Sequence, residues 1–157
     1  VTMAKYNKPV FRKSIDDLKE LVSATNLPFV VKGVMCAEDA LAAIEAGAKA
    51  IVVSNHGGRV LDHTPGTADV LPEIVAEVKG KITVLADGGI RNGYDALKML
   101  ALGAEGVLVG RDIIRAAVGA GIEGVQVHMK FLQNTFAKAM LMTGCSTLKD
   151  IKRDILC

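Results

Sequence analysis

Residues 46–53 read AGAKAIVV, and residues 102–109 read LGAEGVLV. In each segment a glycine is followed by an apolar run rich in β-branched residues, which predicts the end of a helix and then a buried strand. The same offset of 56 residues places Asp39-Ala40-Leu41 on Asp95-Ala96-Leu97. The sequence therefore contains two near copies of one unit in which strand and helix alternate.

Strands and helices are predicted to alternate along the whole chain. Alternation of this kind produces a parallel α/β sheet, either open and doubly wound or closed into a (β/α)8 TIM barrel, and the internal repeat favours the barrel. A complete barrel takes about 250 residues and eight strands. The predicted strands cover residues 29–31, 50–53, 82–85 and 107–109, and the helices cover residues 15–22, 40–44, 70–78, 96–100 and 125–140, with a short final helix from Ser146.

These four strands predict that residues 1–157 are the C-terminal half of a single barrel domain. The absence of a methionine before Val1 also suggests a fragment. Unpaired edges and an uncovered apolar face would favour association with a second copy, so we expect a homo-oligomer.

Composition excludes several classes of function. The 19 Lys and Arg residues are spread along the chain and aromatic residues are few, which argues against nucleic-acid binding. No apolar run is long enough to span a membrane. The three cysteines, Cys36, Cys145 and Cys157, lack metal-ligand spacing and fit reduced thiols, so we expect no metal site and a cytoplasmic location.

Polar and glycine-rich segments follow the predicted strands, where α/β folds collect their functional groups. Asp87-Gly88-Gly89-Ile90-Arg91 and Gly110-Arg111 follow the last two strands. Exposed backbone N–H groups of glycines, a helix N-terminus and arginine side chains together bind phosphate. These two segments therefore predict a phosphate site.

The segment SNHGGR, residues 54–59, follows the second predicted strand. His56 can accept a proton near neutral pH, and Arg59 can pair with an anionic group of the same substrate. Lys32 follows the first predicted strand at the end of an apolar run, where a lysine is costly unless it meets an anion. His63 lies close enough in sequence to face the site, whereas we expect His128 to be solvated on the last long helix.

These motifs resemble consecutive signatures of the FMN-dependent 2-hydroxy-acid oxidases and dehydrogenases, which include glycolate oxidase, lactate oxidase and mandelate dehydrogenase. The resemblance runs from about Phe11 to the C-terminus, and its most specific part is His56-Gly57-Gly58-Arg59. The DGGIR segment at residues 87–91 is shared with other phosphate-binding barrels such as inosine monophosphate dehydrogenase.

The resemblance implies a (β/α)8 barrel with FMN as cofactor and a small 2-hydroxy acid, such as lactate or glycolate, as substrate. His56 would be the catalytic base and Arg59 would bind the substrate carboxylate. Lys32 would lie near N1 and the C2 carbonyl of the flavin, Ser54 would contact the flavin, and Asp87 would pair with His56 or lie near the ribityl chain. The FMN phosphate would lie among Gly88, Gly89, Arg91, Gly110 and Arg111.

Two alternatives remain open at this point. One is a phosphate-binding barrel of another class, similar to inosine monophosphate dehydrogenase or to an isoprenoid isomerase; the absence of a cysteine from the predicted strand-end loops argues against it. The other is a catalytically incomplete fragment that folds and still binds phosphate. If the chain belongs to a flavin-dependent enzyme, the sequence does not define its electron acceptor.

Overall fold

The computed structural model describes residues 11–156, and its centre is a four-stranded parallel sheet. The strands are β1 (Val30–Val34), β2 (Ala50–Val53), β3 (Thr83–Ala86) and β4 (Gly106–Val107). They lie side by side in the order in which they occur along the chain. A doubly wound sheet reverses its strand order at a switch point, whereas a barrel does not. The sequential order therefore fits half of a barrel, as predicted.

In the described part of the chain, one α-helix precedes the sheet and four connect or follow its strands. They are α1 (Ile15–Ser23), α2 (Ala37–Glu45), α3 (Thr67–Val78), α4 (Gly93–Ala101) and α5 (Arg111–Met142). Short 3₁₀ turns cover Leu148–Asp150 and Arg153–Ile155, and a tight turn covers His56–Gly58. The last long helix starts well before its predicted start, and it is kinked where Ala120 and Gly121 leave helical geometry. Thr147, rather than Ser146, is the N-cap of the turn that follows it.

Burial of the strands differs between the middle and the edges of the sheet. All four residues of β2 are buried, and Ile51 and Val53 contact no solvent because they lie in a core cluster that also contains Leu71 and Ile74 of α3. The edge strands β1 and β4 are only partly covered, and Val30 is 44% exposed. The prediction of buried strands is therefore correct for β2 and wrong for the two edges.

Lys32 is also placed differently from the prediction. It lies inside β1, in register with Val52 of β2, rather than after the strand. The strand continues to Val34 because an irregularity between Lys32 and Val34 restores the pairing with Val53. The strand pairing thus fixes the backbone from which the Lys32 side chain extends.

Helix α4 packs closely against the C-terminal half of α5. The N–H of Gly93 donates to Thr135 Oγ1 at 2.8 Å, and a Cβ atom at Gly93 would lie 2.0 Å from the backbone nitrogen of Phe136. Farther along the same contact, Leu97 and Ala101 share a buried cluster with Ala139, Cys145 and Ile151. This contact holds the C-terminal half of α5 against α4.

Candidate active site

The carboxyl ends of the four strands open onto one cavity of about 310 Å³. Nine of the ten site residues predicted from the sequence line it, and the tenth, Ser54, is buried directly behind it. Residues more than 70 positions apart in the chain therefore meet at one place. The nine are Lys32, His56, Arg59, Asp87, Gly88, Gly89, Arg91, Gly110 and Arg111.

Lys32 connects three strands through its ammonium group. Its Nζ donates to Ser54 Oγ at 2.6 Å and forms an ion pair with Asp87 Oδ2. The Ser54 hydroxyl also accepts the backbone N–H of His56 at 3.1 Å. Ser54 is 2% exposed, so it acts as a buried link between the lysine and the loop that carries the histidine.

Asp87 pairs with Lys32 and not with His56, which corrects one of the two partners expected for it. Its side chain is 19% exposed, and Oδ1 is buried without a hydrogen-bond partner among residues 11–156. The carbonyl of Asp87 accepts the Thr67 hydroxyl at 2.6 Å. Because Thr67 is itself buried, this bond fixes the chain where β3 leads into the two glycines.

The loop after β2 holds His56 by its backbone. His56, Gly57 and Gly58 all have positive φ, at 56°, 69° and 70°. Asn55 closes the turn by accepting the Gly58 N–H at 3.2 Å, and Arg59 Nε donates to the His56 carbonyl at 3.1 Å. A left-handed conformation is uncommon for a residue with a side chain, although histidine adopts it more readily than most. The imidazole is left exposed at the cavity.

Glycine-rich backbone and arginine side chains also meet at the cavity. Gly88 and Gly89 have φ values of 100° and 73°, and a Cβ atom at Gly89 or Gly110 would meet nothing within 4 Å. Gly110 is the N-cap of α5. A Cβ atom at Gly57 would lie 3.2 Å from a terminal nitrogen of Arg111, so this guanidinium group reaches the loop of His56. Open backbone, a helix N-terminus and arginines are the groups that bind phosphate.

Asp112 and Arg115, which were not predicted from the sequence, also line the cavity. Arg115 Nη1 donates to Asp112 Oδ1 at 2.8 Å, and the two side chains are 76% and 19% exposed. Their spacing of three residues on a helix was a usable signal, but only with the knowledge that α5 begins at Arg111.

Three other residues lie away from the cavity. His63 has a φ of 60° and an almost fully exposed side chain. His128 is not solvated as predicted, because its Nε2 is buried without a partner within the described part of the chain. Cys36 is the N-cap of α2, so a cysteine does follow a strand, contrary to the prediction, but it does not line the cavity.

Cys36 and Cys145 are free thiols, whereas Cys157 lies outside the described residues. Residues 11–156 contain no group of three or more His, Cys, Asp or Glu side chains placed to hold a metal ion. None of the helices in this part of the chain has the length and apolar character needed to cross a membrane.

Residues 2–157 match the family of FMN-dependent dehydrogenases. The chain belongs to this family. It is 50% identical over 138 residues to the peroxisomal (S)-2-hydroxyacid oxidase GLO3 of Arabidopsis thaliana, covering 88% of this chain and 38% of the relative. It is 50% identical over 141 residues to an L-lactate oxidase of Nostoc sp., covering 90% of this chain and 39% of the relative.

Solved structures show the same likeness. A mandelate oxidase with benzoyl-formic acid is 44% identical, with a TM-score of 0.86 over 90% of this chain and 42% of that one. A mandelate oxidase variant with a monooxide FMN adduct is 42% identical, with a TM-score of 0.87 over 93% of this chain and 46% of that one. The chain thus spans less than half the length of these relatives.

The family match confirms the resemblance inferred from the motifs and, with it, an FMN-dependent family of oxidoreductases and the barrel fold. It favours the flavin interpretation over barrels that bind other phosphorylated ligands. The roles assigned to individual site residues remain predictions. The geometry of these residues in the cavity supports the proposal that follows.

Proposed function

We propose that this chain supplies half of an FMN-dependent (β/α)8 barrel that oxidises a small 2-hydroxy acid, of the lactate or glycolate type, to the 2-oxo acid. The observation that carries the proposal is the convergence of His56, Arg59 and the glycine–arginine segments on one cavity. A family match alone would leave open whether the chemistry lies in this chain.

The residues present fit FMN. The buried Oδ1 of Asp87 lacks a hydrogen-bond donor within residues 11–156, and a ribityl hydroxyl is a donor of suitable reach. The open backbone at Gly89 and Gly110 leaves room for the phosphate, which Arg91 and Arg111 would bind through charge-assisted hydrogen bonds. Lys32 would place its positive charge beside the flavin ring.

Other side chains of this chain would bind the substrate and accept its proton. Arg59 holds the substrate carboxylate and so fixes which face of the 2-carbon meets the cofactor. His56 accepts a proton from the substrate at a ring nitrogen, and its exposed imidazole is free to approach. Bound FMN supplies the two-electron acceptor. Ser54 and Asp87 keep the Lys32 ammonium in place.

The test uses a hybrid barrel in which this chain replaces the matching segment of the Nostoc L-lactate oxidase. We expect the hybrid to bind FMN and its flavin absorbance to bleach when L-lactate or glycolate is added without oxygen. The D-enantiomer of lactate is the matched control. A hybrid that holds FMN and is bleached by no 2-hydroxy acid would contradict the proposal.

We further propose that the 157-residue chain by itself is a homo-oligomer without detectable turnover. Within residues 11–156 the two edge strands have no further strand beside them, and the apolar side chains Ile114, Val118 and Ile122 of α5 are 63%, 83% and 80% exposed. A second copy carries the same surface and would cover it. Light scattering that shows a monomer, or oxidation of a 2-hydroxy acid by the chain alone, would contradict this.

A cytoplasmic location also remains a proposal. It is supported by the free thiols of Cys36 and Cys145, which fit a reducing compartment. The Arabidopsis thaliana relatives GLO3 and GLO4 are named as peroxisomal. Imaging of a fluorescent fusion beside a peroxisomal marker would decide between the two compartments.

A further inference from the structure

Asp112 and Arg115 form the one ion pair of the cavity, among the described residues, that has no role in the function proposed above. They lie one turn apart at the start of α5, directly after Gly110 and Arg111. Asp112 is largely buried, whereas Arg115 is mostly exposed. A carboxylate in this position is unexpected, because it lies beside the groups that are proposed to bind a phosphate.

The charged side chains of the cavity fall into paired and unpaired groups within the described residues. Its two carboxylates are each paired with one cation, Asp87 with Lys32 and Asp112 with Arg115. In residues 11–156 no carboxylate forms a salt bridge with the other three cations of the cavity, which are therefore available to incoming anions. Those three are Arg59, Arg91 and Arg111.

Without Arg115, the carboxylate of Asp112 would act against phosphate binding in two ways. It would repel the phosphate directly, since like charges at short range in a partly desolvated site disfavour each other. It would also occupy the positive N-terminus of α5 and compete for Arg111, its neighbour in the chain. Arg115 donates to Asp112 at 2.8 Å, and its positive charge opposes both effects.

We propose that Arg115 sets the affinity of the phosphate site by neutralising Asp112, so that the start of α5 and Arg111 remain open to the phosphate of FMN. Arg115 is a positioning residue in this arrangement, because it acts through Asp112. The proposal rests on the function proposed above. It deepens that function by making the preference for a phosphorylated flavin depend on this pair.

A simpler role has to be distinguished. Ion pairs between residues three apart stabilise a helix slightly, and exposed pairs contribute little. Such a role would change the melting temperature and would affect every ligand alike. The proposed role changes only the binding of ligands that carry a phosphate.

The experiment compares FMN with riboflavin, which lacks the phosphate, by quenching of flavin fluorescence on the 157-residue chain. We expect Arg115→Met to weaken FMN about tenfold, equivalent to roughly 1.4 kcal/mol, and to leave riboflavin unchanged. Asp112→Asn should tighten FMN, and the double variant Asp112→Asn with Arg115→Met should recover the affinity of the parent. Arg115→Lys keeps the charge and is the matched control.

The outcomes separate the two proposals. A parent chain that does not distinguish FMN from riboflavin contradicts the proposed phosphate site, and this inference with it. A parent that prefers FMN, together with an Arg115→Met variant of equal preference, overturns this inference alone. Equal weakening of both flavins by Arg115→Met shows a structural role and also overturns it. Raised salt should reduce the difference between parent and variant.

Discussion

The segments that follow β2 and β4 occupy the same position in the two copies of the internal repeat, 56 residues apart. Each carries an arginine three residues after a functional side chain, as His56 with Arg59 and Asp112 with Arg115. In the first copy the arginine donates to the backbone carbonyl of the histidine. In the second it binds the carboxylate itself.

The different backbone explains the different result. After β2 the chain takes three consecutive left-handed residues, so Arg59 meets main chain and the imidazole is left exposed. Only three residues separate β4 from an α-helix, and helical geometry brings side chains three apart together. With the same spacing, the arginine of the first copy leaves the His56 imidazole exposed, whereas the arginine of the second copy pairs with the Asp112 carboxylate.

The largest effect is expected from removing the imidazole of the first copy. His56→Asn in the hybrid barrel should slow flavin reduction by about 10²–10⁴-fold, the range for loss of a general base. Asparagine also accepts positive φ, so the loop should keep its shape and FMN should remain bound. The measurement is anaerobic stopped flow. His63→Asn is the matched control, because His63 has a similar φ and lies outside the cavity; equal slowing by both variants would remove His56 from the mechanism.

The second-largest effect is expected on stability, at the start of the two equivalent helices α2 and α4. Gly93 begins α4 where Ala37 begins α2, and only Gly93 has Phe136 of α5 directly against it. Gly93→Ala should lower the free energy of unfolding by about 3 kcal/mol, because the added carbon overlaps backbone. Gly119→Ala, which has open space and lies in α5, is the control and should not destabilise. Urea denaturation measures both, and equal stability would contradict the packing described above.

Phosphate binding in the second copy is proposed to depend on Arg111, which occupies the position of Asn55 in the first copy. Arg111→Met should weaken FMN binding to the 157-residue chain by about 10- to 100-fold, since a charge-assisted hydrogen bond contributes roughly 1.5–3 kcal/mol. Riboflavin binding should not change. Arg153→Met, in a turn away from the cavity, is the control. An unchanged dissociation constant for FMN would exclude Arg111 from the phosphate site.

Local patterns were enough to predict much of this arrangement. Residues 50–53 form β2 as predicted, and the site residues collect in one cavity because they follow parallel strands that end at one edge. The position of Lys32 could not be predicted, since the irregularity that extends β1 depends on pairing with β2. The pairing of Asp87 with Lys32 likewise spans three strands and leaves no local signal.

The missed pair in the second copy has a related cause. The predicted start of the last helix was late because Gly119 and Gly121 interrupt its apolar periodicity, and the chain does leave helical geometry at Ala120 and Gly121. Without a helix from Arg111 onward, nothing in the sequence placed Asp112 against Arg115.

The smallest effect concerns the N-caps of the two equivalent helices, α2 and α4. The Asn92 side chain accepts the N–H groups of Tyr94 and Asp95 at 2.9 and 3.0 Å, whereas Cys36, its equivalent, makes no capping hydrogen bond through its side chain. Asn92→Ala should therefore cost about 1 kcal/mol of stability and Cys36→Ala almost nothing. Because Asp95 also accepts the Arg91 N–H at 3.1 Å, fraying of α4 should loosen the phosphate segment and weaken FMN more than riboflavin. Thermal melts with flavin titrations measure both; equal destabilisation by the two alanine variants would show that the caps are equivalent after all.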